Sequence, residues 1–333
     1  MGSWLAANVV GAAPPFAYRL VAAGGSNLTY EVTDAGGRRW ALRRPPVGHA
    51  LPTAHDMDRE WRLLVALHPT AVPVPEPVAF CSDTDVTGAG FYVMAFAEGT
   101  ILRDQDGAAA MTFAQAEAAT ASLVAVQVTL GTLDVDQIGL GDLGRRDDYV
   151  GRQLRRWRRQ VDTAAVRPAP LMAQLHDRLA ASRPAERGRP GLVHGDYRFD
   201  NTVLGPDWAV SAVLDWELCT IGSPAADVVW SLCYWADPAD PLSFLTDPPT
   251  LAEHFPTRAE VTARYQSAGV DLADRAWYEV FSWWKHACIL EGVYGRALAG
   301  AAGGLGTRDP AGIAARADAF FARSADLANG VVP

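Results

Sequence analysis

Lysine is almost missing from this chain: of 29 basic residues only Lys285 is a lysine, and the others are arginines. Contacts to phosphate or carboxylate elsewhere therefore fall to guanidinium groups, which grip two oxygens in a plane and cannot act as compact point charges. Cysteine is scarce too. Cys81, Cys219, Cys233 and Cys288 are scattered with no C-x-x-C pair, which speaks against a zinc ribbon or redox motif and for reduced thiols in a cytoplasm. No apolar run reaches the roughly eighteen residues that a membrane-spanning helix needs. The start, MGSWLAANVVGAAPP, lacks a signal-peptide pattern, and Ala6 stands where myristoylation wants Ser or Thr. Positive charge is in the minority, with a formal net charge of −9, so a general nucleic-acid partner is not expected.

What is present is an ordinary globular composition, 49% hydrophobic and 20% charged, over 333 residues. That length suits two domains, or two lobes around a cleft, each with its own core. Strand patterns fall at Tyr18 to Ala22, Leu28 to Thr33, Arg39 to Arg44, the end of VPVPEPVAF and FYVMAF, with a helical pattern at 55–67. After Glu98-Gly99 helices dominate, at 113–130, 147–161 and from Asp227 onward, interrupted by a loop and a short hairpin. The expected fold is α+β and two-lobed: residues 1–98 form a small antiparallel sheet with one main helix, 95–99 the hinge, and 99–333 a mostly helical lobe.

The interrupting loop carries the chemistry. LVHGDYRFDN places His194, Asp196, Arg198 and Asn201 together, and Asp215 follows in VLDWE, fourteen positions after Asn201. Phosphoryl transfer needs oxygen ligands for a divalent metal and a carboxylate to take the acceptor's proton. Protein kinases meet this need with H-R-D-x-x-x-x-N and a second aspartate beyond a hairpin. Here Asp196 and Asn201 keep that spacing, the hairpin returns Asp215 to the loop, and Arg198 is placed to face the transferred phosphate.

HGDYRFDN followed by VLDWE resembles the catalytic loop of the aminoglycoside phosphotransferase and choline kinase family, which shares the protein-kinase-like fold. The resemblance implies ATP and Mg2+ as cofactors, Asp196 as catalytic base, Asn201 and Asp215 as metal ligands, His194 as loop support and Asp227 as a brace. LRRPP, RQLRRW and LDWEL look most like the phosphotransferase-like domains joined to acyl-CoA dehydrogenases, which makes hydroxyacyl thioesters one candidate acceptor class. One departure is Gly131, where relatives often carry histidine.

A nucleotide site of this kind also needs a backbone-rich turn, a basic residue on the phosphates and a carboxylate to orient it. Gly25, Ser26 and Asn27 supply the turn, Arg43 stands where V-A-I-K has lysine, Glu60 is its expected partner, and Ala95 and Ala97 offer backbone to an adenine edge. GLGDLG at 139–144 is a formal G-x-G-x-x-G without a preceding strand, hence a loop. Arg152, Arg155, Arg156 and Arg159 share a helical face that reads as solvated or as a seat for a phosphorylated or CoA-bearing substrate. The aromatic run at 277–286 reads as core packing or as the wall of an acceptor pocket. The expected protein is a cytoplasmic small-molecule kinase, monomer or homodimer, acting on a hydroxylated small molecule, with no nucleic-acid or membrane partner. Two alternatives are a silent nucleotide-binding module and a metal-dependent hydrolase using His194 and Asp196.

Overall fold

The structure is a computed structural model and describes residues 1–23, 27–46, 57–164, 166–299 and 309–331. Strand alternation builds the N-terminal part. After helix α1 (Gly2–Asn8) come β1 (Ala17–Ala23), β2 (Leu28–Thr33) and β3 (Arg39–Arg44), then α2 (Met57–Leu67), β4 (Pro77–Cys81) and β5 (Phe91–Ala95). The five strands form one antiparallel sheet in the order β1-β2-β3-β5-β4. Val32, Leu42, Phe91 and Val93 share a small core with Leu5 and Val9, and Trp4 sits edge-on to Phe91. Ala41, Tyr92 and Met94 join the main core with Leu63, Leu64 and Leu67 of α2. With both faces covered, β5 reads as an unbroken apolar run, as a fully buried strand does. The N-terminal stretch, which sequence reading tested only as a leader, folds as α1 against this sheet.

Gly99 marks the passage to the helical part. At φ +146°, a Cβ there would lie 2.2 Å from the Leu204 carbonyl oxygen, so only glycine lets the chain pass so close. Thr100 and Leu204 then exchange backbone hydrogen bonds of 2.9 and 2.8 Å. There follow α3 (Gln105–Ala109), α4 (Phe113–Thr132), α5 (Tyr149–Ala164) and α6 (Pro170–Ala181). Four short strands come next: β6 (Gly191–Val193), β7 (Thr202–Leu204), β8 (Val210–Val213) and β9 (Thr220–Gly222). The chain ends with α7 (Pro224–Tyr234), α8 (Arg258–Ser267), α9 (Arg275–Leu298) and α10 (Pro310–Val331). Thr112 and Thr257 close capping boxes at the starts of α4 and α8. Ser223 caps α7 and Pro224 occupies its first turn, where a missing N–H costs nothing. Helix α9 carries Trp277, Phe281 and Trp284 into the core and packs on α5, α7 and α10. Each such side chain contributes about 2–3 kcal/mol by leaving water.

The short strands position the polar loop. β7 pairs with β8, and outside them β6 pairs with β9. Two nested hairpins therefore draw residues 194–201 and 214–219 together from both ends.

Candidate active site

The inner hairpin extends one step past its strands, because Leu214 N–H donates to the Asn201 carbonyl at 2.8 Å. Asp215 follows at once in the left-handed region, φ 64°, a rare conformation for a residue with a side chain, though aspartate is among the residues that tolerate it. Asn201 donates from Nδ2 to both the Asp196 backbone carbonyl and Asp196 Oδ2, each at 2.8 Å. Its Oδ1 is thereby turned away from Asp196. The structure thus brings Asp196 and Asn201 into contact and holds the residue before Asp215 on the Asn201 carbonyl.

His194 is fully buried. Its Nε2 lies 2.9 Å from the Leu214 carbonyl and its Nδ1 accepts from Asp196 N–H at 3.3 Å. Both ring nitrogens are spent on the loop itself, so the histidine has none left for a metal. Asp227, on α7, accepts from His194 N–H at 3.0 Å and Gly195 N–H at 2.9 Å. Gly195 has φ +84°, and a Cβ there would sit 2.9 Å from Leu218 Cβ. Behind Asp227, Gln127 donates to its Oδ2 and to Ser231, and Tyr265 donates to Gln127 Oε1 at 2.6 Å. Sequence reading missed Gln127 and Tyr265, since lone polar residues inside apolar helices announce no partner.

On the sheet side, Arg43 faces three carboxylates. Its Nε lies 2.8 Å from Glu60 Oε2 and its Nη2 lies 2.5 Å from Asp215 Oδ1, with Glu217 at 3.9 Å. Glu60 is 2% exposed and also accepts from Asn27 Nδ2 and the Tyr92 hydroxyl, both at 2.8 Å. Burial pushes the Glu60 carboxyl above its ordinary range, and Arg43 opposes that shift. Asn27, expected in the phosphate turn, thus has its side chain on Glu60. Gly25 and Ser26 lie outside the described residues. Ala95 spends its N–H on the Glu76 carbonyl at 2.8 Å, so only its remaining backbone polarity suits an adenine edge. Ala97 follows just after β5.

Arg198 donates from Nε to Asp196 Oδ1 at 3.1 Å, pairs through Nη1 with Asp200 at 2.6 Å, and lies 5.0 Å over the Tyr234 ring. Burial raises the Asp196 carboxyl, but Arg198 and a hydrogen bond from Tyr234 outweigh it and hold the group below its ordinary range. Residues 139–144 form turns, with neither strand before nor helix within them. They serve as a docking surface: Arg59 of α2 donates to the Leu143 and Cys219 carbonyls at 2.9 and 2.7 Å, and Arg62 pairs with Asp142. On α5, Arg155 pairs with Asp148, Arg152 donates to the Arg145 carbonyl, and Arg156 lies over Trp157. A side chain at Gly131 would meet Pro224 at 2.9 Å, so histidine does not fit there without moving the start of α7.

The donor set suits magnesium, a hard cation that takes one or two carboxylates plus substrate phosphates. Asp215 already carries a cationic partner, Arg43, and Asn201 spends its Nδ2 on Asp196, which leaves its amide oxygen as the donor atom for a cation. Among the described residues no cluster of three His, Cys, Asp or Glu side chains has metal-holding geometry. No helix among them is long and apolar enough to cross a membrane.

Comparisons with known proteins bear on the family and the fold. A 29%-identical crystal structure from Ralstonia eutropha, provisionally described as an aminoglycoside phosphotransferase, matches with a TM-score of 0.81 over 100% of this chain and 98% of its own. An ethanolamine kinase from Plasmodium vivax, 11% identical, shares the fold with a TM-score of 0.58 over 93% of this chain and 81% of its own. Acyl-CoA dehydrogenase family member 11 of Gallus gallus is 35% identical over 290 residues, covering 85% of this chain and 37% of the relative. Family member 10 of Mus musculus is 36% identical over 284 residues, covering 84% of this chain and 26% of the relative. This chain thus spans about a third of those relatives' length. The model of the phosphotransferase enzyme family matches residues 17–281. A kinase-like two-lobed fold, a loop of the right spacing and this match lead to one conclusion: the chain belongs to the phosphotransferase enzyme family.

Proposed function

We propose that the protein transfers the γ-phosphate of ATP, with Mg2+, to a hydroxyl group of a small molecule. In this reading residues 1–98 carry the nucleotide, residues 99–333 carry the catalytic loop and the acceptor, and the protein works in the cytoplasm as a monomer or homodimer. The observation that carries the reading is the contact of Asp196 with Asn201, whose carbonyl holds the residue before Asp215, with Asp215 itself joined to Arg43 of the sheet.

Each residue then has a task. Asp196, kept ionised by Arg198 and Tyr234, takes the proton of the acceptor hydroxyl. The acceptor oxygen bonds to the γ-phosphorus as the bond to the β,γ-bridging oxygen breaks, and ADP leaves. Asn201 Oδ1 and Asp215 would hold magnesium, which when bound neutralises donor phosphate charge. Arg43, oriented by Glu60, turns from Asp215 to the phosphates when they arrive. Gly25, Ser26 and Asn27 form the turn over them, and Ala95 and Ala97 line the adenine edge. Arg198 offsets charge on the transferred group. His194 and Asp227 fix the loop, so that acceptor and donor meet in line.

The test is ADP release from Mg-ATP against aminoglycosides, amino alcohols, sugars and hydroxyacyl-CoA compounds, with Asp196→Asn as control. The variant should lose on the order of 10³-fold or more in turnover, while Mg-ATP affinity stays within a few-fold. Normal turnover by Asp196→Asn refutes the assignment. Nucleotide binding with no ADP release from any acceptor would favour a silent module.

A further inference from the structure

A cavity of about 350 Å³ opens where α4 and α8 end and α7 and α9 begin. That volume falls within the roughly 300–1,000 Å³ of small-molecule pockets. None of the residues given a task in phosphoryl transfer lines it. Its walls are largely hydrocarbon: Val128 and Leu133 at the end of α4, Pro224 and Val228 on α7, and Val270 just beyond α8. Gly131, where relatives often carry histidine, also lines it and takes up no room with a side chain. The mouth is charged. Arg187 and Arg189 stand there on either side of Gly188, together with Asp271 and Asp274.

The charges at the mouth are loosely held. Arg187 Nε lies 3.3 Å from Asp274 and its Nη1 lies 4.0 Å from Asp271, both longer than the roughly 2.7–2.9 Å of a charge-assisted hydrogen bond. Arg189 pairs with Asp134 at 3.0 Å. More than half of each arginine side chain is exposed. A guanidinium carries five N–H groups, so both arginines can take a further carboxylate without releasing the first. The walls lead back to the catalytic loop. Gln127, itself in the lining and buried, donates to Asp227 and Ser231. Val270 N–H donates to the Tyr265 carbonyl at 3.0 Å, and the Tyr265 hydroxyl donates to Gln127. Val228 follows Asp227 directly on α7. Two walls of the cavity therefore meet at the carboxylate that accepts from the His194 and Gly195 N–H groups.

We propose that this cavity is an effector site for a small amphipathic carboxylate, its apolar body between α4, α7 and the end of α8 and its head on Arg187 and Arg189. Hydrocarbon walls disfavour a sugar or an inorganic anion, which would lose hydration there without recovering it. The paired arginines select a carboxylate head over an ammonium. A bound ligand adds contacts to Val228 and Gln127 in the arrangement that holds the loop, and so stabilises that arrangement against any with Asp227 displaced. The site lies beyond the phosphotransfer reading and does not rest on it.

The test titrates octanoate, octanol and octylammonium calorimetrically into the full chain; the three share a hydrocarbon body and differ in the head. Octanoate should bind about tenfold or more tightly than either of the others. A smaller preference, tighter binding of octylammonium, or no binding of octanoate overturns the proposal. Arg187→Gln, a change at an exposed side chain, should weaken octanoate about fivefold or more and octanol less than about twofold. Val270→Trp, which fills the cavity, should abolish binding of both. Octanoate affinity that neither variant alters places the ligand elsewhere and overturns the site; should Val270→Trp fail to fold, Arg187→Gln decides alone. Hydrogen–deuterium exchange reads the link to the loop. Saturating octanoate should slow exchange in the peptide spanning 194–201 about twofold or more, and unchanged exchange with octanoate bound overturns the effector role. None of these measurements involves a nucleotide, so their failure leaves phosphotransfer standing, and a lack of ADP release leaves the site standing.

Discussion

Replacing Arg43 by methionine tests the ion-pair cluster on which the sheet and the loop converge. The side chain is 12% exposed and Glu60's is 3% exposed, so the change strands a carboxylate in the interior. Removing one partner of a buried pair costs about 3–5 kcal/mol. Asn27 and Tyr92 still donate to Glu60, which places the expected loss near the lower end, about 3 kcal/mol. Asp215 also loses its partner, but at 35% exposure water compensates most of that. The deficit should depend on pH. Glu60's carboxyl is already raised from 4.5 by burial and rises further without Arg43. A carboxyl whose folded pKa exceeds its unfolded value stabilises the fold fully below the unfolded pKa, and that contribution is lost as pH rises through the folded one. Going down from pH 7 to pH 5, the variant should therefore recover up to about 1.4 kcal/mol per unit relative to the parent. Urea unfolding followed by the fluorescence of the 11 tryptophans measures this, and Glu60→Gln added to Arg43→Met should restore most of the loss. A variant within about 0.5 kcal/mol of the parent at pH 7, the range of an ordinary surface substitution, or a deficit that ignores pH, would refute the account.

Other expectations follow from the same contacts. Asp227→Leu leaves two backbone N–H groups of the loop unpaired and should cost about 2–5 kcal/mol, with turnover falling further than Mg-ATP affinity in a kinetic comparison. Gly195→Ala forces a side chain into a left-handed position against Leu218 and should cost about 1–3 kcal/mol by thermal denaturation.

Much of the fold is legible in the sequence because its signals are local. The strands Leu28 to Thr33 and Arg39 to Arg44 were bounded to the residue by alternation and a turn. The spacing of Asp196, Asn201 and Asp215 announced a loop closed by a hairpin, and the hairpin pairs as β7 and β8. Less legible were β6 and β9, three residues each and too short for any periodicity to register. The partners of the site residues were hidden for another reason. Asn27 meets Glu60 across 33 positions, and Gln127 meets Asp227 across 100; nothing in the neighbourhood of either residue encodes such a meeting.

The grip of Arg59 has a mechanical side. By holding the Leu143 and Cys219 carbonyls, it lashes α2 to the helical lobe one residue before Glu60. A helix moored there cannot swing outward on its own, and Glu60, bonded to Asn27, Tyr92 and Arg43, ties the mooring to the sheet as well. Any shift of α2 must first break two hydrogen bonds to a charged donor.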